Sequence, residues 1–201
     1  MAYGAVYVFG SVPVASCGTS DGLSGVASPA TLTLTGGVPP GVGTFTAQCI
    51  GGTDVAGNAT PPVVATYTIQ YAASGTTCNG QPGRQMLQPI NFTGNSVFAR
   101  KGSSTVPAKF RVCGADGVSI GPPVAVVSSF VLYGTYNGTI EPFPNELAAD
   151  STTPDAAFRW SASDQQWIFN ISLKNLTPGV TYVYRVYLND GTHIQFQFGV
   201  K

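Results

Sequence analysis

The residues with the clearest potential for chemistry lie in segment 18–22, GTSDG, which matches the pattern G-x-S-x-G. In α/β-hydrolases this pattern places a nucleophilic serine on a sharp turn between a strand and a helix, with an acid and a histidine later in the chain. Residues 23–29, which follow Ser20, are loop-like rather than helical. The only histidine, His193, lies far along the chain. We therefore predict that Ser20 is a turn residue and that the chain has no catalytic residues.

Oxygen ligands for a metal ion occur in the segment TDVAGN, where Asp54 and Asn58 could help to hold Ca²⁺. A good calcium site needs several converging carboxylates, and this segment has only one. Asp and Asn side chains in turns commonly bond the backbone of their own turn, which is the role that we predict here. His193 is predicted to be a solvent-facing strand residue, and we expect no metal site and no cofactor.

Acidic and aromatic residues raise the question of carbohydrate chemistry. A glycosidase needs two carboxylates that face each other roughly 5–10 Å apart, and we interpret the acidic residues of the second half as solvated loop groups. Alternation places Trp167 on a core face, and it places Tyr187 opposite Tyr182 and Tyr184, so that one of these tyrosine sets is exposed. Exposed rings could stack on sugars. The residues considered are Glu141, Glu146, Asp150, Asp155, Asp164, Tyr133, Tyr136 and Trp160.

The charge composition argues against two classes of partner. Lys and Arg together number nine, Asp and Glu together number nine, and the formal net charge is zero. A nucleic-acid-binding surface needs a basic excess to neutralise phosphates, and a membrane-binding helix face is usually cationic. The sequence also has no apolar run near the roughly 20 residues of a membrane span. We expect neither nucleic-acid binding nor membrane insertion.

Period-two alternation of apolar and polar residues dominates the sequence and predicts short strands. Glycine (25 residues) and proline (15) are abundant and disfavour long helices. The only helical turn that we predict lies at residues 144–150, PNELAAD. The pattern indicates an all-β fold of antiparallel β-sandwich type. Strands are predicted at 6–9, 12–17, 31–35, 43–50, 63–71, 106–112, 124–136, 157–161, 167–173, 182–188 and 194–200.

Alternation fails in the polar, glycine-rich segment 72–83. We therefore predict a first domain at residues 1–72, a linker at 73–84 and a second domain at 85–201. The first domain has about five predicted strands, fewer than the seven of an Ig-type sandwich. Either short strands are missed or the first strand precedes residue 1, which would leave an edge open for pairing with another chain.

The four cysteines, Cys17, Cys49, Cys78 and Cys113, form no CxxC pair, and one histidine cannot complete a zinc site. An even number fits two disulfides in an oxidising compartment. Four cysteines allow three pairings, and their order suggests Cys17–Cys49 and Cys78–Cys113. Four buried free thiols are the alternative. Alternation along residues 106–112 would place Cys113 on the outer face of its strand.

Two parts of the chain resemble domains of bacterial extracellular proteins. Residues 20–26, SDGLSGV, with residues 53–58, TDVAGN, are similar to the D-x-L-S-G-V … T-D-x-A-G-N pattern of bacterial Ig-like repeats. Residues 102–110, GSSTVPAKF, resemble the G-S-T-V-P-V-K-F strand of the PxKF-motif domain, with one extra serine and with Ala108 in place of the usual valine. Residues 188–198, LNDGTHIQFQF, resemble its final hairpin. The resemblance implies an all-β chain of two tandem Ig-like antiparallel β-sandwich domains, in a secreted or surface array with no established catalytic residues.

These observations predict a non-enzymatic structural or assembly module of a secreted or cell-surface bacterial protein. It would serve as a stalk, a spacer or a subunit of a filament or surface layer, with assembly by β-strand complementation. The expected partners are other Ig-like domains or copies of the chain itself. The alternative is a glycan-binding adhesin domain, for which no binding residues are identified. Because the first residues lack the features of a signal peptide, we expect the natural chain to extend upstream.

Overall fold

The computed structural model describes residues 3–101, 104–153 and 157–201. These residues form an all-β structure with no helix, as the alternation predicts. Accordingly, the described residues contain no helix long and apolar enough to cross a membrane. The chain divides into two compact units, Met1–Gln70 and Tyr71–Lys201.

The first unit is built on one four-stranded sheet with the strand order β1-β6-β4-β3. β3, β4 and β6 pair antiparallel, whereas β1 runs parallel to β6. β2 and β5 form a separate two-stranded antiparallel sheet. The strands of this unit are β1 (Ala5–Val8), β2 (Val26–Ser28), β3 (Thr31–Val38), β4 (Val42–Ile50), β5 (Thr53–Asp54) and β6 (Val63–Gln70).

Residues 12–17 do not form the strand that we predicted. The whole segment 11–20 has no regular secondary structure. Pro13 has no backbone N–H to donate to a ladder, and Cys17 is bonded covalently to Cys49. The alternation of this segment therefore belongs to an irregular chain that is bonded to β4 through Cys17, rather than to a paired strand.

The core of the first unit is small. Among its described apolar side chains, those less than a tenth exposed are Val42, Ala47, Tyr67 and Ile69. The ring of Tyr67 stacks on Phe45, with the ring centroids 5.5 Å apart. Since so few side chains are buried, the unit depends strongly on other stabilising bonds.

The second unit contains two larger sheets, with strand orders β10-β17-β16-β12-β13 and β14-β15-β11-β9, and a small β7-β8 pair. Turns at Asn137-Gly138 and Asp190-Gly191 connect β12 to β13 and β16 to β17, as the sequence predicts. β10 pairs parallel to β17, and the other pairs are antiparallel. The strands are β7 (Thr77–Cys78), β8 (Gln81–Pro82), β9 (Met86–Leu87), β10 (Val97–Phe98), β11 (Thr105–Phe110), β12 (Val127–Tyr136), β13 (Ile140–Ala148), β14 (Arg159–Ser161), β15 (Gln166–Ser172), β16 (Thr181–Leu188) and β17 (His193–Val200).

Aromatic rings from both large sheets meet in the core of the second unit. Phe130 on β12 lies 4.9 Å from Phe169 on β15 and 6.1 Å from Phe196 on β17, measured between ring centroids. Phe110 on β11 is fully buried and packs edge-on against Phe158. The two sheets therefore face each other across an aromatic layer, consistent with a β-sandwich.

Residues 73–84, which we predicted to be a linker, fall within the second compact unit. β7 and β8 lie in this segment, and the Arg84 amide donates to the Arg111 carbonyl (2.7 Å). Just before it, the buried Tyr71 amide donates to the Asp190 carboxylate (2.8 Å). The division between the units lies between Gln70 and Tyr71, close to the predicted end of the first domain at residue 72.

The helical turn predicted at residues 144–150 does not form, because residues 144–148 belong to strand β13. β13 pairs with β12 at both of its ends, and the register shifts between Leu132 and Gly134. β13 is the last strand of its sheet, where prolines are tolerated because one side of the strand needs no donors. Tertiary pairing therefore overrides the local preference of the segment for a turn.

Candidate functional site

All four cysteines are paired in two disulfides, Cys17–Cys49 and Cys78–Cys113, each with the Cα atoms 5.8 Å apart. These are the pairs suggested by their order in the chain. Cys78 and Cys113 are buried, so the second disulfide does not lie on the outer face as alternation implied. The reason is that β11 ends at Phe110, before Cys113, and the alternation of the strand ends with it. Two disulfides indicate a non-cytoplasmic environment.

Ser20 lies in an exposed, irregular segment, and no helix follows it. The next residue, Asp21, accepts hydrogen bonds from the amides of Leu23 and Ser24 (3.1 and 3.0 Å). The Ser24 hydroxyl also donates to this carboxylate (2.8 Å), and this bond is the largest cause of the lowered pKa of Asp21. The acid beside Ser20 is thus used to hold its own turn, as Asx residues commonly do.

Asp54 and Asn58 bond to each other rather than converging on an empty site. The Asn58 amide donates to Asp54 Oδ1, and the Asn58 side chain donates to Asp54 Oδ2, both at 2.7 Å. These hydrogen bonds lower the pKa of Asp54, the side-chain bond having the largest effect. Among the described residues no group of three or more His, Cys, Asp or Glu side chains is arranged to hold a metal ion. The arrangement is that of the structural turn that we predicted.

His193 is exposed at the start of β17. Its ring lies 5.9 Å from that of Tyr187, its partner on β16, and the Tyr187 hydroxyl donates to Glu146 (2.5 Å). Partial burial and, to a lesser extent, the charge of Arg185 lower the pKa of His193. Arg185 itself lies over the ring of Tyr133, 3.5 Å from the ring centroid. The outer face of this sheet is therefore a network of polar and aromatic contacts.

Among the described residues, the remaining aromatic and acidic candidates do not converge on one open site. Trp167 is buried, as predicted, and its indole N–H donates to the Ile120 carbonyl (2.9 Å). Tyr182 and Tyr184 are the buried tyrosine set, and Trp160 packs against Trp167. The acids have local roles: Asp150 accepts from Asn175, Asp164 accepts from Ser161, Glu141 and Glu146 lie on β13, and Asp155 lies outside the described residues.

A mostly apolar cavity of about 340 Å³ lies in the second unit near the start of β12. Its walls include Val126, Phe130, Phe158 and Trp167, and its polar side chains are two serines. Among the described residues that line it, none has a charged side chain that would orient a ligand. Its lining reaches Ala157, next to a segment outside the described residues.

The outer edge of β3 is the most distinctive surface of the first unit. β3 has eight residues, TLTLTGGV, and it is the last strand of its sheet, paired with β4 on one side only. No described segment pairs with its other side. The strand has no charged residue and no proline. An unpaired edge of this length and composition is a ready template for another strand.

The edges of the second unit are protected in ways that the β3 edge is not. β9, β10 and β14 have two, two and three residues, too short to offer an extended ladder. β13 is long, but it carries two glutamates and two prolines. Short strands, charges and prolines are the usual means of preventing edge-to-edge pairing. Because the edge strands of the second unit are protected, an open edge is not a general property of this chain. We therefore treat the outer edge of β3 as the candidate site.

The two faces of β3 differ in chemistry. The threonines at positions 31, 33 and 35 are exposed on one face, where Thr35 lies opposite Thr46 of β4. The leucines lie on the other face, where Leu34 lies opposite Ala47 and remains 51% exposed. Leu34 is thus a half-exposed aliphatic side chain on the edge strand, and a strand added at this edge would cover it.

Comparison of the chain with protein-family models, with curated proteins and with solved structures gave no match. The alternation of residues 31–35 predicts β3 as a strand, and an open edge was one of the two explanations for the few strands predicted in the first domain. The sequence does not identify β3 as the strand with the open edge. The only signal for it was the uncharged alternation TLTLT.

Proposed function

We propose that the chain is a non-enzymatic structural and assembly module of a secreted or cell-surface bacterial protein. Its two β-units, each closed by a disulfide, act as a stiff spacer that links or presents other parts. The first unit recruits its partner by strand addition at the outer edge of β3. The single observation that carries the proposal is this open, uncharged eight-residue edge.

The charge distribution supports association at this edge. The first unit contains two charged residues, Asp21 and Asp54, and no Lys, Arg or Glu. Both aspartates lie outside β3 and are bonded within their own turns. Two approaching units would therefore meet little electrostatic repulsion, whereas β13, with its glutamates, would repel a copy of itself.

The bacterial Ig-like and PxKF resemblances are part of the same proposal. Modules of this kind occur in secreted or surface arrays, and the disulfides fit such an environment. The sparse charge also limits proteolysis, since the first Lys or Arg in the chain is Arg84. Trypsin therefore has no cleavage site in the first unit.

Glycan binding is the alternative function, and the aromatic contacts make it the weaker one. One face of the Tyr133 ring is covered by Arg185, and Tyr187 is held between His193 and Glu146. Rings that stack on sugars need an open face. A glycan array should show no binding, and specific binding abolished by Tyr136→Ala, an exposed ring, would favour the alternative.

The test is sedimentation velocity over a range of protein concentrations. The wild-type chain should associate as the concentration rises. Leu34→Lys should remain monomeric, because it puts a charge on the exposed edge. The matched control is Thr44→Lys, which adds the same charge at an exposed position of the interior strand β4 and should associate like the wild type.

Two results would overturn the proposal. A wild-type chain that stays monomeric at all concentrations would exclude assembly between copies at this edge. Equal association of the wild type and of Leu34→Lys would show that another surface is responsible. Circular dichroism of each variant establishes that the fold is retained, so that loss of association is not loss of structure.

A further inference from the structure

The sequence of the open edge is a palindrome. Residues 31–35 read TLTLT in both directions, and they lie in the part of β3 that pairs with β4 in continuous register. In an antiparallel pair of identical strands, a palindrome places each side chain opposite its own kind. With Thr33 on the two-fold axis, Thr31 would lie opposite Thr35 of the other copy, and Leu32 opposite Leu34.

The structure also limits how far such a pair could extend. The register of β3 with β4 shifts between Gly36 and Val38. Both Gly36 and Gly37 have positive φ angles (94° and 69°), and bulges of this kind twist a strand away from its line. The regular segment available for pairing thus ends at Gly36, and its centre lies near Thr33.

We propose that the partner of the β3 edge is a second copy of this chain, which pairs antiparallel with β3 about a two-fold axis at Thr33. This inference rests on the proposed function, because it names the partner and the register of that same edge. The pairing is isologous, so the same patch serves both copies. It gives one continuous eight-stranded sheet from the two four-stranded sheets.

Each face of the combined sheet would be chemically uniform across the junction. Leu32 and Leu34 of both copies would form one aliphatic cluster, which covers the half-exposed Leu34. The threonines would continue as a row of hydroxyls on the other face. Matched Thr–Thr and aliphatic pairs are favourable across antiparallel strands. No charged residue lies in β3 to oppose the pairing.

Single cysteines report the register directly. Opposite residues of an antiparallel pair have Cα atoms about 4.5–5.5 Å apart, within the range that a disulfide spans. In the proposed dimer, Thr33→Cys lies opposite itself and should form a disulfide-linked dimer under mild oxidation. The positions 35 of the two copies are four residues out of register, about 13 Å apart, so Thr35→Cys alone should not cross-link.

The experiment therefore uses three variants of the full chain, Thr31→Cys, Thr33→Cys and Thr35→Cys, on non-reducing gels with peptide mapping by mass spectrometry. Thr33→Cys should cross-link alone. Thr31→Cys and Thr35→Cys should each fail alone and should cross-link when mixed. Parallel in-register pairing would instead cross-link all three variants alone and would overturn the proposal.

The outcomes separate this inference from the proposed function. If the wild type associates in an edge-dependent way but Thr33→Cys does not cross-link, the register is wrong and the assembly function stands. If the wild type does not associate, both fail. Peptide mapping could show the new cysteine bonded to Cys17 or Cys49. The variant is then reduced and reoxidised at high protein concentration, and the cross-linking is measured again. If the disulfide between the two copies of residue 33 is still absent, the proposal is wrong.

Discussion

Replacing Cys17 and Cys49 with serine should remove much of the stability of the first unit and leave the second unit folded. The disulfide joins residues 32 positions apart. For a loop of this length, the chain-entropy relation gives about 3.7 kcal/mol of stabilisation through the unfolded state. The perturbation removes no core side chain, so this figure is the principal expected loss.

The packing of the first unit makes that loss decisive. Full burial of a Val, Leu or Ile side chain contributes about 1.5–3 kcal/mol. The described part of the first unit buries four apolar side chains, Val42, Ala47, Tyr67 and Ile69. Losing the disulfide is therefore equivalent to exposing one or two of these four. Since the net stability of a domain is only about 5–15 kcal/mol, the unit should lose much of its stability.

The assay is hydrogen exchange measured by mass spectrometry after pepsin digestion. Pepsin is suitable because it does not require Lys or Arg, which the first unit lacks. Peptides from β4 and β6 should exchange much faster in the variant than in the wild type. The matched control removes Cys78 and Cys113, whose separation of 35 residues corresponds to about 3.8 kcal/mol. Because the second unit buries a far larger set of apolar side chains, β16 and β17 should remain protected in the control.

One result would refute the reasoning. If β4 and β6 remain as protected in the Cys17→Ser, Cys49→Ser variant as in the wild type, loop closure is not what stabilises the first unit. The same conclusion follows if the two double variants unfold their units equally, since the difference in core size would then have no effect.

Three further predictions concern single side chains. Asp190→Ala should lower the free energy of unfolding by about 1.5–3 kcal/mol, because the buried Tyr71 amide loses a charged acceptor; denaturant titration measures this. The pKa of Asp54 is lowered, so the carboxylate stabilises the fold above the ordinary aspartate value of about 3.9 and loses this effect as the pH falls through its lower folded pKa. Asn58→Ala should therefore weaken the acid dependence of the melting temperature. Gly134→Ala should release β13, because a methyl group there meets the backbone of that strand; hydrogen exchange of β13 amides reports it.

Each of these has a control or a contrary outcome. Asp190→Asn keeps an acceptor oxygen, so it should cost less than alanine; equal losses would mean that the hydrogen bond is not the cause. An acid dependence that is the same in Asn58→Ala and in the wild type would show that the Asp54 turn does not contribute. Unchanged exchange in β13 of Gly134→Ala would show that the strand can move aside.

The long strands could be predicted from the sequence because their pattern is local. A strand with one buried face must alternate, and segments such as residues 182–188 and 194–200 do so with a tight Asp-Gly turn between them. The buried position of Trp167 followed from the same alternation. The structural turn of Asp54 and Asn58 was also predictable, since its hydrogen bonds join residues four positions apart.

The remaining elements could not be predicted because their causes are not local. Two-residue strands such as β9 and β10 have no periodicity to detect. β13 is a strand because β12 pairs with it across a bulge, although its own residues include two prolines. Residues 12–17 alternate as a strand does, but no described strand pairs with them. The burial of Cys113 depends on where β11 ends.

The sequence by itself determined the all-β class and the uncharged alternation of TLTLT, and the order of the cysteines suggested one of the three possible disulfide pairings. These follow from composition, from order in the chain and from the two-residue repeat of a strand. Only the tertiary structure decided that β3 lies at an edge, with one side unpaired. The edge position depends on which strands pair across distant parts of the chain. The five residues of TLTLT do not themselves determine whether a second strand pairs with them.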